Sequence, residues 1–259
     1  MPEEELLYRV QNDVAYFTIN REAKRNSISR EVIDLCMEYL YKAEQDDKVR
    51  VVCVTGAGDR AFCSGADLGG SLVEDALEGS NRFHNYANLL KRIASFPKPT
   101  VAKVNGYCLA GGMGFMLACD IVIAAEHSKF GTPEVNVGLW PMMIGALIFR
   151  NVTRKKAVEM ILLGEKIIAS DAERMGLITR VAPADKLDEA VSDVLTKLSK
   201  KSPIGMKIGK EAFYKADDMF FEEALDFLAD KLGDVASTED AVEGITAFIQ
   251  KRDPVFKGK

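Results

Sequence analysis

Two strand-forming apolar runs, Leu6 to Gln11 and Val14 to Ile19, are separated by Asn12-Asp13, a pattern that predicts a hairpin. Beyond Asn26 to Ser29 the period changes. Val32, Ile33, Cys36, Met37 and Leu40 recur at helical spacing through about Glu44, and Ser29 stands where its hydroxyl can cap the first turn. The unbroken apolar run Val51-Val52-Cys53-Val54 predicts a buried strand. A helix near Arg82 to Ser95 and a strand near Thr100 to Val104 flank Pro97 and Pro99. A glycine-rich segment, a helix to about Ala118 and a strand from Ile121 to Ala125 then repeat that rhythm. Such alternation predicts a stacked, largely parallel α/β core. From Met142 onward the pattern is almost wholly helical, with one short strand near Leu177 to Val181. That shift, with the turn-like Lys200-Lys201-Ser202-Pro203, divides the chain into a core over residues 1–200 and a C-terminal helical region over residues 201–259. The amphipathic stretches Phe220 to Leu232 and Ala241 to Phe248 have to bury their apolar faces against the core or a neighbouring subunit.

Composition narrows the function classes. With 259 residues and 47% hydrophobic composition the chain can build a substantial core. Lys and Arg number 34 against 39 Asp and Glu, so the net charge of −5 offers no general attraction to a phosphate backbone, and nucleic acid is not an expected partner. The five cysteines, Cys36, Cys53, Cys63, Cys108 and Cys119, lack C-x-x-C spacing and read as reduced thiols of a cytoplasmic protein. No apolar run approaches the roughly 20 residues of a membrane span, so no membrane partner is expected. His84 and His127 lack metal-ligand spacing, so no metal site is expected, and no G-x-S-x-G elbow accompanies them to suggest a serine hydrolase.

Candidate chemistry lies in two glycine-containing loops. They are Ala61-Phe62-Cys63-Ser64-Gly65-Ala66-Asp67-Leu68 and Asn105-Gly106-Tyr107-Cys108-Leu109-Ala110-Gly111-Gly112-Met113-Gly114. Small residues let a ligand approach peptide N–H groups closely, and two such groups aimed at one oxygen form an oxyanion hole. The second loop opens a helix, whose positive end would also favour developing negative charge. Taken singly, these glycines would serve equally well for tight turns and close helix packing.

The two loops occur in series with Asn20-Arg21, Lys24-Arg25-Asn26-Ser27, Cys119-Asp120 and Phe130-Gly131-Thr132-Pro133-Glu134. In that order and spacing the chain resembles the crotonase superfamily, the enoyl-CoA hydratase/isomerase family, from about Tyr8 to Arg252. The resemblance implies a crotonase-like stacked ββα core with a C-terminal helical region, an acyl-CoA thioester as substrate, no cofactor beyond the CoA carried by the substrate, and a homotrimer or homohexamer. It places the oxyanion hole at the backbone N–H groups of Ala66 and Gly111 and proton transfer at Glu134. Lys24 and Arg25, with Arg21, would supply the local positive charge that CoA requires, and Lys251 or Arg252 is a further candidate for a phosphate. Ser64, Ala66, Asp67, Leu68 and Gly111 would line the CoA and thioester site, Asp67 taking no part in proton transfer.

Two departures from the family pattern matter. Where a typical hydratase carries its second glutamate this chain has Gly114, which tilts the expectation from water addition towards double-bond isomerisation, since one carboxylate can shuttle one proton. Glu74, Asp75 and Glu78 are candidate replacements for the missing acid. After Glu134, a glycine-rich segment gives way to Leu139-Trp140-Pro141-Met142-Met143, so that Trp140 either contacts the acyl group or belongs to the core. Decarboxylation, dehalogenation and thioester hydrolysis use the same oxyanion hole. A catalytically silent acyl-CoA-binding or assembly protein is the alternative outside enzymology.

Overall fold

The protein is described by a computed structural model covering residues 4–67 and 81–259. The hairpin pairs β1 (Leu6–Gln11) with β2 (Val14–Ile19), and its two turn residues Asn12 and Asp13 take φ of 51° and 62°, a left-handed pair that Asn and Asp tolerate. From β2 onward the sheet is parallel. It runs in the order β1, β2, β3 (Val51–Gly56), β5 (Thr100–Val104), β7 (Ile121–Ala125) and β10 (Arg180–Ala182). Its strands are apolar on both faces because both faces are covered. Val52, Val54, Ala102, Val104 and Ala124 face the larger core, while Val51, Cys53, Val101, Ile123 and Ala125 pack with Leu187, Val191, Val194 and Leu195.

A second sheet orders β4 (Ala61–Cys63), β6 (Tyr107–Leu109), β8 (Lys129–Gly131) and β9 (Ile167–Ile168). The first three are parallel, with Cys63 opposite Cys108 and Leu109 opposite Gly131, so their C-terminal ends emerge on one edge. The helical pattern did not anticipate this sheet as a unit. Strands of two or three residues are too short to show a period of two, and they are ordered by pairing rather than by propensity.

The helices fill the layers around the sheets. α1 (Arg30–Gln45) begins where the Val32 N–H donates to Ser29 Oγ at 3.1 Å, and it packs against α2 (Asn81–Ala94). α3 (Gly111–Leu117) is almost wholly buried, and α4 (Met142–Asn151) packs upon it. α5 (Arg154–Leu163), α6 (Ala169–Arg174) and α7 (Leu187–Ser199) follow, α7 covering the outer face of the large sheet.

Three C-terminal helices complete the fold: α8 (Pro203–Ala216), α9 (Phe221–Ala236) and α10 (Glu239–Gln250). Lys210 ties α8 to the core by donating to the Lys98 carbonyl at 3.0 Å and pairing with Asp120, while Arg150 on α4 pairs with Asp217 and Asp218. In this single chain only Ala212, Asp240 and Ala247 of the three helices are buried. Phe221, Leu225, Leu232, Ile245 and Phe248 stand exposed.

Candidate active site

The second sheet assembles the site. Residues 64–67 leave the end of β4, residues 110 and 111 the end of β6, and residues 132–134 the end of β8. Three loops far apart in sequence therefore meet on one sheet edge.

The first loop is pinned from below by the 21–28 turn. Arg25 and Asn26 are both left-handed, and buried Asn26 donates its amide to the carbonyls of Ala61 at 2.6 Å and Ala57 at 3.0 Å. The Ser64 N–H donates to the Arg25 carbonyl at 3.1 Å. Ile28 then forms a parallel bridge with Ala66, its N–H donating to Gly65 O at 2.8 Å and its carbonyl accepting from the Asp67 N–H at 3.0 Å. The bridge consumes the flanking groups and leaves the Ala66 N–H without a partner among the described residues, on an exposed residue.

Close approach of the second loop requires glycine at position 65. Gly65 has φ of 100°, and a Cβ there would lie 2.6 Å from the Ala110 methyl and 3.3 Å from the Gly111 nitrogen. A Cβ on Gly111 would lie 3.7 Å from the Ala66 nitrogen. The two candidate oxyanion-hole residues are thus neighbours in space. Ala110, at φ 50° and ψ −131°, is a non-glycine residue in a region that costs about 1–3 kcal/mol, and this strain sets the direction of the Ala110–Gly111 peptide. The Gly111 N–H opens α3 and has no partner among the described residues.

Glu134 follows β8 on a one-turn 3-10 helix, Pro133–Val137, that starts with proline in its first turn. Its neighbour β8 is fastened to the second loop by the Ala110 N–H donating to Gly131 O at 2.9 Å. Glu134 Oε2 is buried and has no hydrogen-bond partner among the described residues. Burial pushes the carboxyl above its ordinary range, partly offset by its own backbone N–H. An ionised oxygen left without a donor is suited to accept a proton.

The cysteines beside the loops are not nucleophiles at neutral pH. Burial pushes the Cys63 thiol up to about 12 and Cys108 well above its ordinary value. All five cysteines are free and buried.

The CoA candidates divide into two groups. Lys24 and Arg25 are exposed, Lys24 Nζ standing 3.3 Å from the Asp67 carboxylate. Arg21 is buried and pairs with Glu5 at 2.9 Å and Asp67 at 2.7 Å, so it organises the turn rather than facing a ligand. Arg252 makes a two-pronged pair with Glu243, at 2.6 and 2.8 Å. Trp140 and Leu139 are half exposed and Met142 is largely exposed, whereas Met143 packs against the core. Leu68, Glu74, Asp75 and Glu78 lie outside the described residues.

Gly114 shows what replaces the missing glutamate. A Cβ there would fall 2.2 Å from the Tyr86 hydroxyl, 2.8 Å from Ile144 Cγ2 and 3.1 Å from Leu90 Cδ2. Tyr86, on α2, donates its phenolic O–H to the Gly111 carbonyl and stacks at a tilt on Phe115, 6.0 Å between ring centroids. Sequence reasoning passed over it because Tyr86, Leu89, Leu90 and Ile93 form an ordinary buried helical stripe. A concavity of about 480 Å³ between α5 and α6 shares no residue with these loops. Its charged lining includes the paired Lys156–Glu159 and Arg174–Asp171.

The chain matches the family described as "Enoyl-CoA hydratase/isomerase" over residues 9–259. It is 34% identical to the 2,3-dehydroadipyl-CoA hydratase of Escherichia coli K12, over 98% of this chain and 99% of that one. With the short-chain-enoyl-CoA hydratase of Clostridium acetobutylicum it shares 32% identity, over 93% of each chain. Among solved structures, the enoyl-CoA hydratase from Bacillus anthracis superposes with a TM-score of 0.93 at 30% identity, covering 98% of this chain and all, 100%, of that one. With the motif series, the crotonase-type α/β fold and full-length matches in agreement, the chain belongs to the enoyl-CoA hydratase/isomerase family, whose members act on acyl-CoA thioesters.

Proposed function

We propose that this chain is a single-glutamate enzyme that moves the double bond of an enoyl-CoA, holding the thioester oxygen on the Ala66 and Gly111 N–H groups and carrying the proton on Glu134. The observation that carries the reading is the unpartnered buried oxygen of Glu134, on the same sheet edge as two neighbouring amides that also lack partners among the described residues. Glu134 removes a proton from C2 of a 3-enoyl thioester, the charge passes to the thioester oxygen, and the same carboxyl returns the proton to C4. Electrons and atoms balance with substrate and Glu134 alone, so neither a metal nor a redox cofactor is needed.

The closure of the Gly114 position favours isomerisation, because no carboxylate fits beside Tyr86 and Ile144 without displacing them. Water addition is the second reading. It is favoured by relatives named as hydratases along the whole chain and by a hydroxyl in the space of the absent acid. Exposed Lys24 and Arg25 would meet the CoA phosphates, backbone at Ser64, Ala66, Asp67 and Leu68 the pantetheine and adenine, and Trp140 the acyl wall. Residues 201–259 would join subunits into a homotrimer or homohexamer of a cytoplasmic enzyme. Among the described residues no helix is long and apolar enough to cross a membrane.

Matched 2-enoyl-CoA and 3-enoyl-CoA thioesters incubated in deuterated water test the reading. Interconversion of the two supports it, with deuterium at C2 or C4 to the extent that the proton on Glu134 exchanges with solvent before its return. Binding of both esters with neither product nor exchange would favour the catalytically silent alternative.

A further inference from the structure

The geometry points to Tyr86 as the residue that holds the water in this site, in the space where the second glutamate is missing, so that it governs how much of the enolate chemistry ends in hydration. This inference rests on the reading of Glu134 as the proton carrier.

Three observations converge on it. First, position: the Tyr86 oxygen lies where a side chain at 114 would begin, 2.2 Å from its Cβ, and 3.6 Å from the Cβ that Gly111 would carry. The phenol therefore stands beside the residue whose N–H is the proposed oxyanion donor. Second, the direction of its proton. The O–H is committed to the Gly111 carbonyl, so the lone pairs of the phenol oxygen are left to accept. Third, charge: burial, with the nearby Cys63, Cys108 and Glu134, keeps the phenol neutral well beyond its ordinary range. A neutral acceptor in the same site as Glu134 avoids the like-charge repulsion that two carboxylates would suffer.

Adding water across C2=C3 requires its oxygen to face C3 while both hydrogens are held. Glu134 accepts one hydrogen and Tyr86 Oη the other. The water oxygen bonds to C3, the C2=C3 electron pair passes to the thioester oxygen, and the proton released to Glu134 is delivered to C2 as the thioester reforms. Tyr86 keeps its own proton on Gly111 throughout, and the other water hydrogen remains in the new hydroxyl. Migration of the double bond uses no water, so it does not need Tyr86 Oη.

Tyr86→Phe, which keeps the ring on Phe115, separates these roles. The full-length protein is given trans-2-hexenoyl-CoA or trans-3-hexenoyl-CoA in ¹⁸O-water, and labelled 3-hydroxyacyl and isomerised products are counted by mass spectrometry. The expected result is a loss of labelled hydrate by at least about 10-fold, with isomerisation within about threefold of the parent and unchanged KM. Equal loss of both products would assign Tyr86 to packing alone and overturn the inference. So would undiminished hydrate in the variant, or a parent that isomerises but forms no hydrate. Glu134→Gln, run alongside, reads the underlying assignment separately: it stops both products if Glu134 carries the proton. If it stops neither, the single-glutamate reading falls, whatever Tyr86→Phe does.

Discussion

Gly114→Ala measures how firmly Tyr86 occupies the space of the absent acid. The new methyl would sit 2.2 Å from the Tyr86 hydroxyl, well inside contact distance, so the phenol has to swing away and give up its bond to the Gly111 carbonyl. Losing a buried hydrogen bond of this kind costs about 1 kcal/mol, and overpacking a filled core about 1–3 kcal/mol more. The expected destabilisation is about 2–4 kcal/mol. At an unfolding entropy near 2.1 cal/mol/K per residue, a 259-residue chain loses about 4–7 °C in Tm. In a Tyr86→Phe background the closest remaining atoms are Ile144 Cγ2 at 2.8 Å, held on a branched Cβ, and Leu90 Cδ2 at 3.1 Å, so the same substitution keeps the overpacking cost of about 1–3 kcal/mol but no longer breaks the hydrogen bond worth about 1 kcal/mol. Thermal unfolding of the parent, both single variants and the double variant closes a cycle with a coupling of at least about 1 kcal/mol. Equal cost of Gly114→Ala in both backgrounds would show that the phenol oxygen is not the obstruction, and the placement of Tyr86 in the site would fail.

Gly65→Ala combines a φ of 100° with a methyl 2.6 Å from that of Ala110, which pushes the Ala66 and Gly111 amides apart, so turnover should fall by about 100-fold while the ester still binds. Unchanged steady-state turnover would place the oxyanion hole elsewhere. The proton-transfer rate should rise with pH through a midpoint above 4.5, because Glu134 is a base only when ionised and burial raises its carboxyl. The same shift means that the native state binds this proton more tightly than the unfolded chain. Its contribution therefore favours the fold below 4.5 and is lost as pH rises through the raised value, a dependence that Glu134→Gln should remove from denaturant titrations. Light scattering should return three or six times the 28.5 kDa chain mass, since Leu225, Leu232, Phe248 and their neighbours are exposed in one copy, and a stable, active monomer would refute that expectation.

What the amino-acid pattern revealed depended on length and repetition. Hairpin, first helix and central strands were legible because Val51 to Val54 and Ile121 to Ala125 are sustained apolar runs, Thr100 to Val104 follows a proline pair, and Ser29 marks a cap. The second sheet was not, since Ala61–Cys63, Tyr107–Leu109, Lys129–Gly131 and Ile167–Ile168 are strands only through their partners. At the site, the glycine loops and Glu134 stood out as motifs. Arg21 read as one of three surface cations, yet a chain pattern does not show that Glu5 and Asp67 bury it. Tyr86 carried no signal, because a tyrosine at helical spacing among leucines looks like core until its hydroxyl is seen against Gly111 and Gly114. Trp140 was open between core and pocket wall, and its half exposure takes it out of the core.

The central claim is that Glu134 and the Ala66/Gly111 amides generate a thioester enolate, whatever product that enolate later gives. Hydrogen exchange at C2 of a saturated ester isolates this step: butyryl-CoA is incubated with the protein in deuterated water, and deuterium uptake is followed by mass spectrometry. The account predicts steady uptake by the parent and a loss of at least about 100-fold in Glu134→Gln, with ester affinity unchanged, because the amide keeps the shape of the carboxylate but not its basicity. Uptake at the parental rate in Glu134→Gln would contradict it.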